Sequence, residues 1–227
     1  MTDILIVKTG TTDRDIVETH GDYDDWFLAN LPVPAERIRV VNAYKGEALP
    51  DFNGFAGVLL TGSVLSVTDE EEWMLPLGHW AVSAADKGVS VLAVCFGHQL
   101  VGEVLGGRVV ENPLGVEVGT VGVTLTDKGK MDPLFKGLPC ELSVQASHGF
   151  VVSKLPPDVE LLASNHNTEI QSFAYGNSLR AVQFHPEVTA STMERLLSVR
   201  GYRNMAKDSN HGKIILKNWI THWVDKR

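Results

Sequence analysis

Residues 89–107 read VSVLAVCFGHQLVGEVLGG, an apolar run that ends at a cysteine and is followed by apolar positions with helical spacing. The run from Val89 to Val94 is short and rich in β-branched residues, as expected of a strand covered on both faces of a parallel sheet. After Gly97 the apolar residues recur every three or four positions, which predicts a helix. Cys95 is therefore predicted to lie at a sharp corner between a strand and a helix.

A thiol at such a corner has the surroundings of a nucleophile. Small neighbours let the backbone turn sharply, and the side chain stands above the sheet with the following amide groups directed toward it. The positive partial charge of a helix N-terminus favours the thiolate form. We interpret Cys95 as a catalytic nucleophile, although the corner by itself is also compatible with a buried, unreactive cysteine.

Strands and helices alternate through the first half of the chain. Strands are predicted at 3–7, 37–43 and 57–63, and helices are predicted over 22–31 and from the acidic residues at 69–72 through about residue 85. This alternation is typical of a mainly parallel α/β sheet, which binds ligands at the carboxyl ends of its strands. Thr61, Gly62 and Ser63 lie at such an end, as Cys95 does.

The second half contains short strands separated by glycine, proline and asparagine turns. They are predicted at 108–111, 117–125, 141–146, 160–164 and 179–184. The predicted fold class is therefore α/β, with a mostly parallel central sheet flanked by helices and a small antiparallel addition.

The tail after residue 190 is predicted to be helical. We expect residues 1–190 to form one domain and residues 191–227 to form a helical extension packed on the same domain. Trp219 and Trp223 are four residues apart, which suits one face of a helix that packs against the domain. If this pair were exposed, it would instead indicate a surface for homo-oligomer formation.

Composition excludes several classes of protein. The chain has 227 residues, of which 20 are basic and 28 acidic, giving a net charge of −8. The basic residues form no long run, which argues against nucleic acid as a partner. The early apolar run at 4–7 is too short for a signal or membrane segment, so no membrane partner is expected.

Cofactors and metals are also not expected. No G-x-x-x-x-G-K-[ST] pattern for binding nucleotide phosphates is present. Cys95 and His98 have helical spacing, but no second pair of ligands accompanies them, so a metal site is not predicted. Two cysteines, Cys95 and Cys140, cannot build a disulfide framework, and a reactive thiol fits a reducing compartment. A cytoplasmic location is therefore expected.

A candidate base and its orienting acceptor occur together in AVQFHPEV, residues 181–188. A cysteine nucleophile needs a base, and the base needs an acceptor that orients it. Pro186 favours an extended conformation of His185, and residues two apart in an extended chain point to the same side. His185 and Glu187 are thus predicted to project together, although the motif by itself also occurs in ordinary turns.

Three motifs resemble those of the class I glutamine amidotransferase family. AVCFGHQL at 93–100, SHGF at 147–150 and AVQFHPEV at 181–188 occur in the family's order, and the resemblance covers about residues 55–190. Within the family, the chain is most similar to stand-alone proteins that resemble the glutaminase half of GMP synthase. The resemblance implies a flavodoxin-like fold without a cofactor.

The resemblance also implies a reaction. Cys95 would attack the side-chain amide of glutamine to give a γ-glutamyl thioester and ammonia, and water would then release glutamate. His185 would be the base and Glu187 its orienter. The backbone amides of Gly62 and Phe96 would form the oxyanion hole.

Substrate-binding residues follow from the same resemblance. Gln99 would contact the amino-acid end of the substrate, and the remaining contacts would come from Ser147, Gly149 and Phe150. His148 is interpreted as a structural hydrogen-bonding residue of the pocket wall.

Two positions depart from the family pattern. Ala93 stands where a glycine usually begins the corner, and its extra methyl group is expected to be tolerated. The loop Thr61-Gly62-Ser63 replaces the glycine-glycine-proline of members coupled to synthetases, so switching of this loop by a partner is not inferred from those members.

Three functions follow. The first is a glutaminase or amidotransferase subunit that passes ammonia to a synthetase on a separate chain, since no ATP-binding motif is present. The second is a γ-glutamyl peptidase or hydrolase that acts on a larger γ-glutamyl amide. The third is a non-catalytic regulatory protein that retains the fold, which the presence of all three triad residue types argues against.

Overall fold

The computed structural model describes residues 3–203 and 205–226 and contains a sheet with helices on both faces. The strands are β1 (Ile4–Lys8), β2 (Ile38–Asn42), β3 (Gly57–Leu60), β4 (Ser90–Val94), β5 (Arg108–Glu111), β6 (Glu117–Leu125), β7 (Glu141–His148), β8 (Phe150–Lys154), β9 (Val159–Ser164), β10 (Ser172–Tyr175) and β11 (Leu179–Val182). The helices are α1 (Arg14–His20), α2 (Tyr23–Asn30), α3 (Met74–Asp86), α4 (Phe96–Val104), α5 (Asp127–Met131), α6 (Ala190–Val199) and α7 (His211–Trp219).

The main sheet has a parallel half and an antiparallel half. The parallel strands follow the order β2-β1-β3-β4-β11, and the antiparallel strands β10, β9, β6 and β7 extend the sheet beyond β11. Strands β5 and β8 form a separate antiparallel pair. The predicted α/β class, with a central parallel sheet and a small antiparallel addition, is confirmed. The antiparallel part is larger than expected because it also continues the main sheet.

The parallel strands are apolar along their whole length because helices cover both faces. Consecutive residues of β1 alternate between two buried clusters, with Leu5 on the face covered by α3 and α4 and Ile6 on the face covered by α7. Strand β4 is buried at every position, as its continuous apolar run predicts. This central placement puts the end of β4 in the middle of the sheet edge.

The predicted start of the helix at 69–72 is wrong. Ser66 and Asp69 form a capping box around a single 3₁₀ turn, and Glu70 then adopts a left-handed conformation with φ 54°. That conformation ends the turn, so α3 begins only at Met74. The acidic residues therefore lie in the connection before the helix rather than in its first turn.

Three elements escaped prediction because they are short. Helix α1 has seven residues and buries Ile16 alone, which leaves no apolar periodicity to detect. Strands β8 and β10 have five and four residues. Each depends on its partner strands for stability, which the local sequence does not show.

The C-terminal helix α7 packs into the core. Trp219 is fully buried and lies in the same cluster as Ile4 and Ile6 of β1, with its ring against Gly57 of β3. Trp223 is partly buried and donates its indole N–H to the Asn177 carbonyl at 2.8 Å. This packing agrees with an extension that belongs to the same domain, while the boundary at residue 190 stays a prediction.

No helix within residues 3–203 or 205–226 has the length and apolar character needed to span a bilayer.

We predict that Trp219→Ala lowers the free energy of unfolding by about 3–5 kcal/mol, because it leaves a large cavity between α7 and the sheet. Trp223→Ala is the matched control and should cost less, since that ring is partly solvated. Chemical denaturation of both variants measures the difference. Equal losses, or a negligible loss for Trp219→Ala, would contradict the placement of the tail in the core.

Candidate active site

Cys95 occupies a strained corner between β4 and α4. Its backbone has φ 51° and ψ −100°, a conformation that costs a residue other than glycine about 1–3 kcal/mol. The conformation is held on both sides, because the Cys95 amide donates to the Val182 carbonyl at 2.9 Å and the Cys95 carbonyl accepts from the Gln99 amide at 3.0 Å. The corner thus places the thiol at the N-terminus of α4.

Close packing supports this corner. A Cβ atom at Gly97 would lie 2.8 Å from the Leu60 Cβ, so only glycine lets α4 approach the end of β3 this closely. Ala93, two residues before the cysteine, is fully buried within the core on the α3 and α4 side of the sheet. The methyl group that departs from the family pattern is therefore accommodated in the core.

His185 and Glu187 follow the end of β11, the strand next to β4. The His185 amide donates to the Gln145 carbonyl at 2.8 Å, which fixes the segment against β7. The His185 Nδ1 lies 2.7 Å from the Glu187 Oε1, and the imidazole also interacts with the Cys95 sulfur. Both side chains are buried. Thiol, imidazole and carboxylate therefore form one connected series.

This surrounding strongly favours the imidazolium form of His185. Burial opposes the positive charge, but the negative charges of Glu187 and Cys95 outweigh burial and raise the pKa of His185 to about 10. A histidine with a raised pKa stabilises the folded state fully below its unfolded pKa of about 6.5. This contribution is lost as the pH rises through the folded value.

The loop after β3 lies beside the histidine. The Thr61 carbonyl accepts from the Thr9 hydroxyl at 3.0 Å and from the Gly97 amide at 3.3 Å. Because the peptide is trans, the Gly62 N–H points away from these two donors. A Cβ atom at Gly62 would lie 2.8 Å from the His185 Cε1, so glycine is needed for this approach.

A cavity of about 440 Å³ opens above the thiol. Of the predicted site residues, those that line it are Cys95, Phe96, Gln99, Ser147, Gly149, Phe150 and His185. Gly62 borders the cavity through its contact with His185, and Glu187 lies behind the imidazole. The structure thus brings every predicted site residue into one region.

The Gln99 side chain is fixed by the protein. Its amide nitrogen donates to the Phe150 carbonyl at 2.9 Å and to the Gln183 Oε1 at 3.2 Å. Its carbonyl oxygen is therefore the atom that can accept a hydrogen bond from a ligand.

A buried carboxylate supports the wall at the β7–β8 corner. The His148 Nδ1 lies 3.2 Å from the Phe150 carbonyl oxygen, and its Nε2 lies 3.0 Å from the Glu117 Oε2. Glu117 also accepts hydrogen bonds from Asn165, Thr168 and Gln171. Burial opposes ionisation of Glu117, but these donors and His148 lower the pKa of its carboxyl group. His148 therefore has the structural role expected of it, and Glu117 is its partner.

Two aromatic residues of α2 line the cavity and were not predicted as site residues. The Tyr23 ring stacks on the His185 ring with centroids 6.1 Å apart and planes 17° apart, and Trp26 meets the edge of Tyr23. Burial, followed by the charge of Cys95, raises the pKa of Tyr23, which keeps the phenol neutral. The sequence places both residues on the inner face of a helix, but it does not show that this face meets the site.

An ion-pair cluster at the end of β1 fixes helix α2. The Lys8 Nζ lies 2.8 Å from the Asp22 Oδ2 and 2.6 Å from the Asp24 Oδ1, and all three residues are largely buried. Asp22 and Asp25 form the capping box of α2. This cluster therefore determines where Tyr23 begins the helix beside the histidine.

Comparison with known proteins identifies the family. The model of the class I glutamine amidotransferase family matches residues 34–203. A subunit of the glutamine-hydrolysing GMP synthase of Saccharolobus solfataricus is 33% identical over 169 residues, covering 74% of this chain and 85% of that protein. Gamma-glutamyl peptidase 5 of Arabidopsis thaliana is 28% identical over 182 residues, covering 78% of this chain and 72% of that protein.

A solved structure shows the same fold. The crystal structure of a glutamine amido transferase from Methylobacillus flagellatus superposes with a TM-score of 0.76 at 18% identity, covering 98% of this chain and 96% of that chain. At this identity the similarity concerns the fold alone. Together with the match of the family model over residues 34–203, these comparisons show that the chain belongs to the class I glutamine amidotransferase family.

Proposed function

We propose that this protein hydrolyses the γ-amide of glutamine or of a γ-glutamyl compound through Cys95. The observation that carries the proposal is the series of Cys95, His185 and Glu187 on the floor of a cavity, with the thiol held on a strained corner. This is the arrangement of an activated nucleophile, its base and an orienting carboxylate.

The first half of the proposed reaction forms a thioester. The Cys95 thiolate attacks the γ-carbonyl carbon, and the developing oxyanion accepts hydrogen bonds from the Phe96 and Gly62 amides, worth roughly 3 kcal/mol each. The His185 imidazolium then gives its proton to the amide nitrogen. The C–N bond breaks, ammonia or an amine leaves, and the γ-glutamyl group remains on the sulfur.

The second half returns the enzyme to its starting state. His185, now neutral, takes a proton from water, and the resulting hydroxide attacks the thioester carbonyl. The C–S bond breaks, glutamate leaves, and the Cys95 thiolate and the His185 imidazolium are regenerated. Glu187 keeps its charge throughout and stabilises the imidazolium.

Binding of the glutamyl end uses the opposite wall of the cavity. The Gln99 carbonyl oxygen accepts a hydrogen bond from the substrate ammonium group, and the short residues Ser147 and Gly149 leave room for the main chain of the substrate. Phe150 is fixed by Gln99 and His148, which keeps this wall rigid.

Two substrate classes share this chemistry. One relative is named as part of a GMP synthase, which favours glutamine as the substrate and a separate synthetase chain as the acceptor of ammonia. The other is named as a gamma-glutamyl peptidase. The cavity of about 440 Å³ continues from the thiol to Trp26 and Tyr202, which favours a leaving group larger than ammonia. The cytoplasmic location stays a prediction.

A panel of substrates separates the two classes. Initial rates are compared for glutamine, γ-glutamyl dipeptides and γ-glutamyl polyamines. Higher kcat/KM for a conjugate supports the peptidase function, and turnover of glutamine alone supports the amidotransferase function. If a glutamine-analogue electrophile leaves Cys95 unlabelled and no compound is turned over, the protein has the non-catalytic function instead.

We predict that Cys95→Ala reduces product release from the preferred substrate by at least about 1,000-fold, because no other group can form the thioester. Cys140→Ala is the matched control, since Cys140 is exposed and lies outside the cavity, and it should keep wild-type activity. Circular dichroism checks that both variants fold. Activity of Cys95→Ala close to that of the wild type would contradict the proposed nucleophile.

The pH profile tests the role of Glu187. The wild-type kcat/KM should fall at alkaline pH as His185, whose pKa is raised to about 10, loses the proton that it gives to the leaving group. Glu187→Gln removes a charge that raises this pKa, so the alkaline fall should move to lower pH and the maximal rate should decrease. Glu160→Gln alters an exposed carboxylate and should leave the profile unchanged. An identical alkaline fall in Glu187→Gln and the wild type would contradict the proposed pair.

A further inference from the structure

The cavity contains one unexpected charged residue. Among the described residues that line it, Arg200 is the only Lys, Arg, Asp or Glu. The other polar groups around the cavity are hydroxyls, the amide of Gln99 and the rings of histidine and tyrosine. The chain as a whole carries a net charge of −8, so a lone cation at this cavity runs against the overall charge.

Arg200 is held in a fixed orientation. It caps the C-terminus of α6, and its Nη1 donates to the Ser147 hydroxyl at 2.7 Å. The Nε and Nη2 groups donate to the Asp13 Oδ2 at 3.4 and 3.2 Å. A guanidinium group has five N–H donors, more than Asp13 and Ser147 together accept.

Helix α6 keeps this side chain at the cavity. Its buried residues Met193, Leu196 and Leu197 pack in one cluster with Tyr23 and Trp26 of α2. The cation is therefore carried by a helix that is itself attached to the aromatic wall beside the catalytic imidazole. Arg200 lies between that wall and Ser147.

A fixed guanidinium beside a cavity without a matching anion favours a planar anionic ligand. A carboxylate suits it best, because two parallel N–H groups can bind its two oxygens. The partial exposure of Arg200, 31% for its side chain, leaves it hydrated when the cavity is empty and reachable by a ligand.

We propose that Arg200 binds a carboxylate of the substrate and so selects γ-glutamyl compounds that present one near Ser147. This inference rests on the proposed function. Two carboxylates are within the chemistry of such a compound: the α-carboxylate of the γ-glutamyl group, and the carboxylate of an amino acid that leaves from the γ-amide.

The test compares four compounds with wild-type protein and Arg200→Gln. γ-Glutamylglycine has both carboxylates, γ-glutamylglycinamide and glutamine have only the α-carboxylate, and the α-amide of glutamine has neither. We expect Arg200→Gln to raise KM about 10- to 100-fold, the range for a lost charge-assisted hydrogen bond, with a smaller effect on kcat.

The pattern of the loss identifies the carboxylate. If Arg200 binds the leaving group, only γ-glutamylglycine is affected. If it binds the α-carboxylate, the first three compounds are affected equally and the α-amide of glutamine is unaffected. Arg200→Lys keeps the charge and should recover part of the affinity.

Two controls distinguish binding from a structural role. Arg203→Gln removes a nearby exposed cation that does not line the cavity, and it should leave every KM unchanged. Asp13→Asn breaks the same ion pair as Arg200→Gln but keeps the cation, so the preference for carboxylates should remain. An equal change for all four compounds in Arg200→Gln, or no change, would overturn the role of Arg200. Absence of turnover by the wild-type protein would instead overturn the proposed function, and this inference with it.

Discussion

The left-handed conformation of Cys95 is the constraint on which the rest of the site depends. A cysteine pays for this conformation in free energy, so it persists only where neighbouring groups hold it. Here the neighbouring strand β11 accepts its amide proton, α4 donates to its carbonyl, and Gly97 allows the helix to pack against β3. Removal of any of these contacts would let the thiol turn away from the cavity.

The parallel order of the strands brings the chemistry together. Strands β3, β4 and β11 are neighbours, and their carboxyl ends carry Gly62, Cys95 and His185 respectively. Residues that are far apart in sequence thus meet without any long loop, since each needs only to follow the end of its strand. The antiparallel half adds Ser147 to Phe150 and their buried support, Glu117 and His148.

The sequence predicted the parts of this arrangement that local patterns encode. Helical spacing after Gly97 placed the corner at Cys95, and the extended His-Pro-Glu segment placed His185 and Glu187 on one side. The acidic residues at 69–72 misled because a helix start and a capped turn use the same residue types.

Long-range packing could not be predicted in this way. Tyr23 reaches His185 only because Lys8 pairs with Asp22 and Asp24, and Arg200 reaches the cavity only because α6 packs on α2. Glu117 had no motif to single it out, since its partners come from residues 148 to 171. These contacts join distant parts of the chain and leave no local periodicity.

The central claim is that Cys95 carries the γ-glutamyl group during turnover. Acid quenching during steady-state turnover, followed by mass spectrometry of the digested protein, tests it directly. The account predicts a γ-glutamyl adduct on the peptide that contains Cys95, which disappears when the substrate is exhausted. Turnover with an adduct on Cys140 instead, or with no modification of Cys95 under conditions that preserve thioesters, would contradict it.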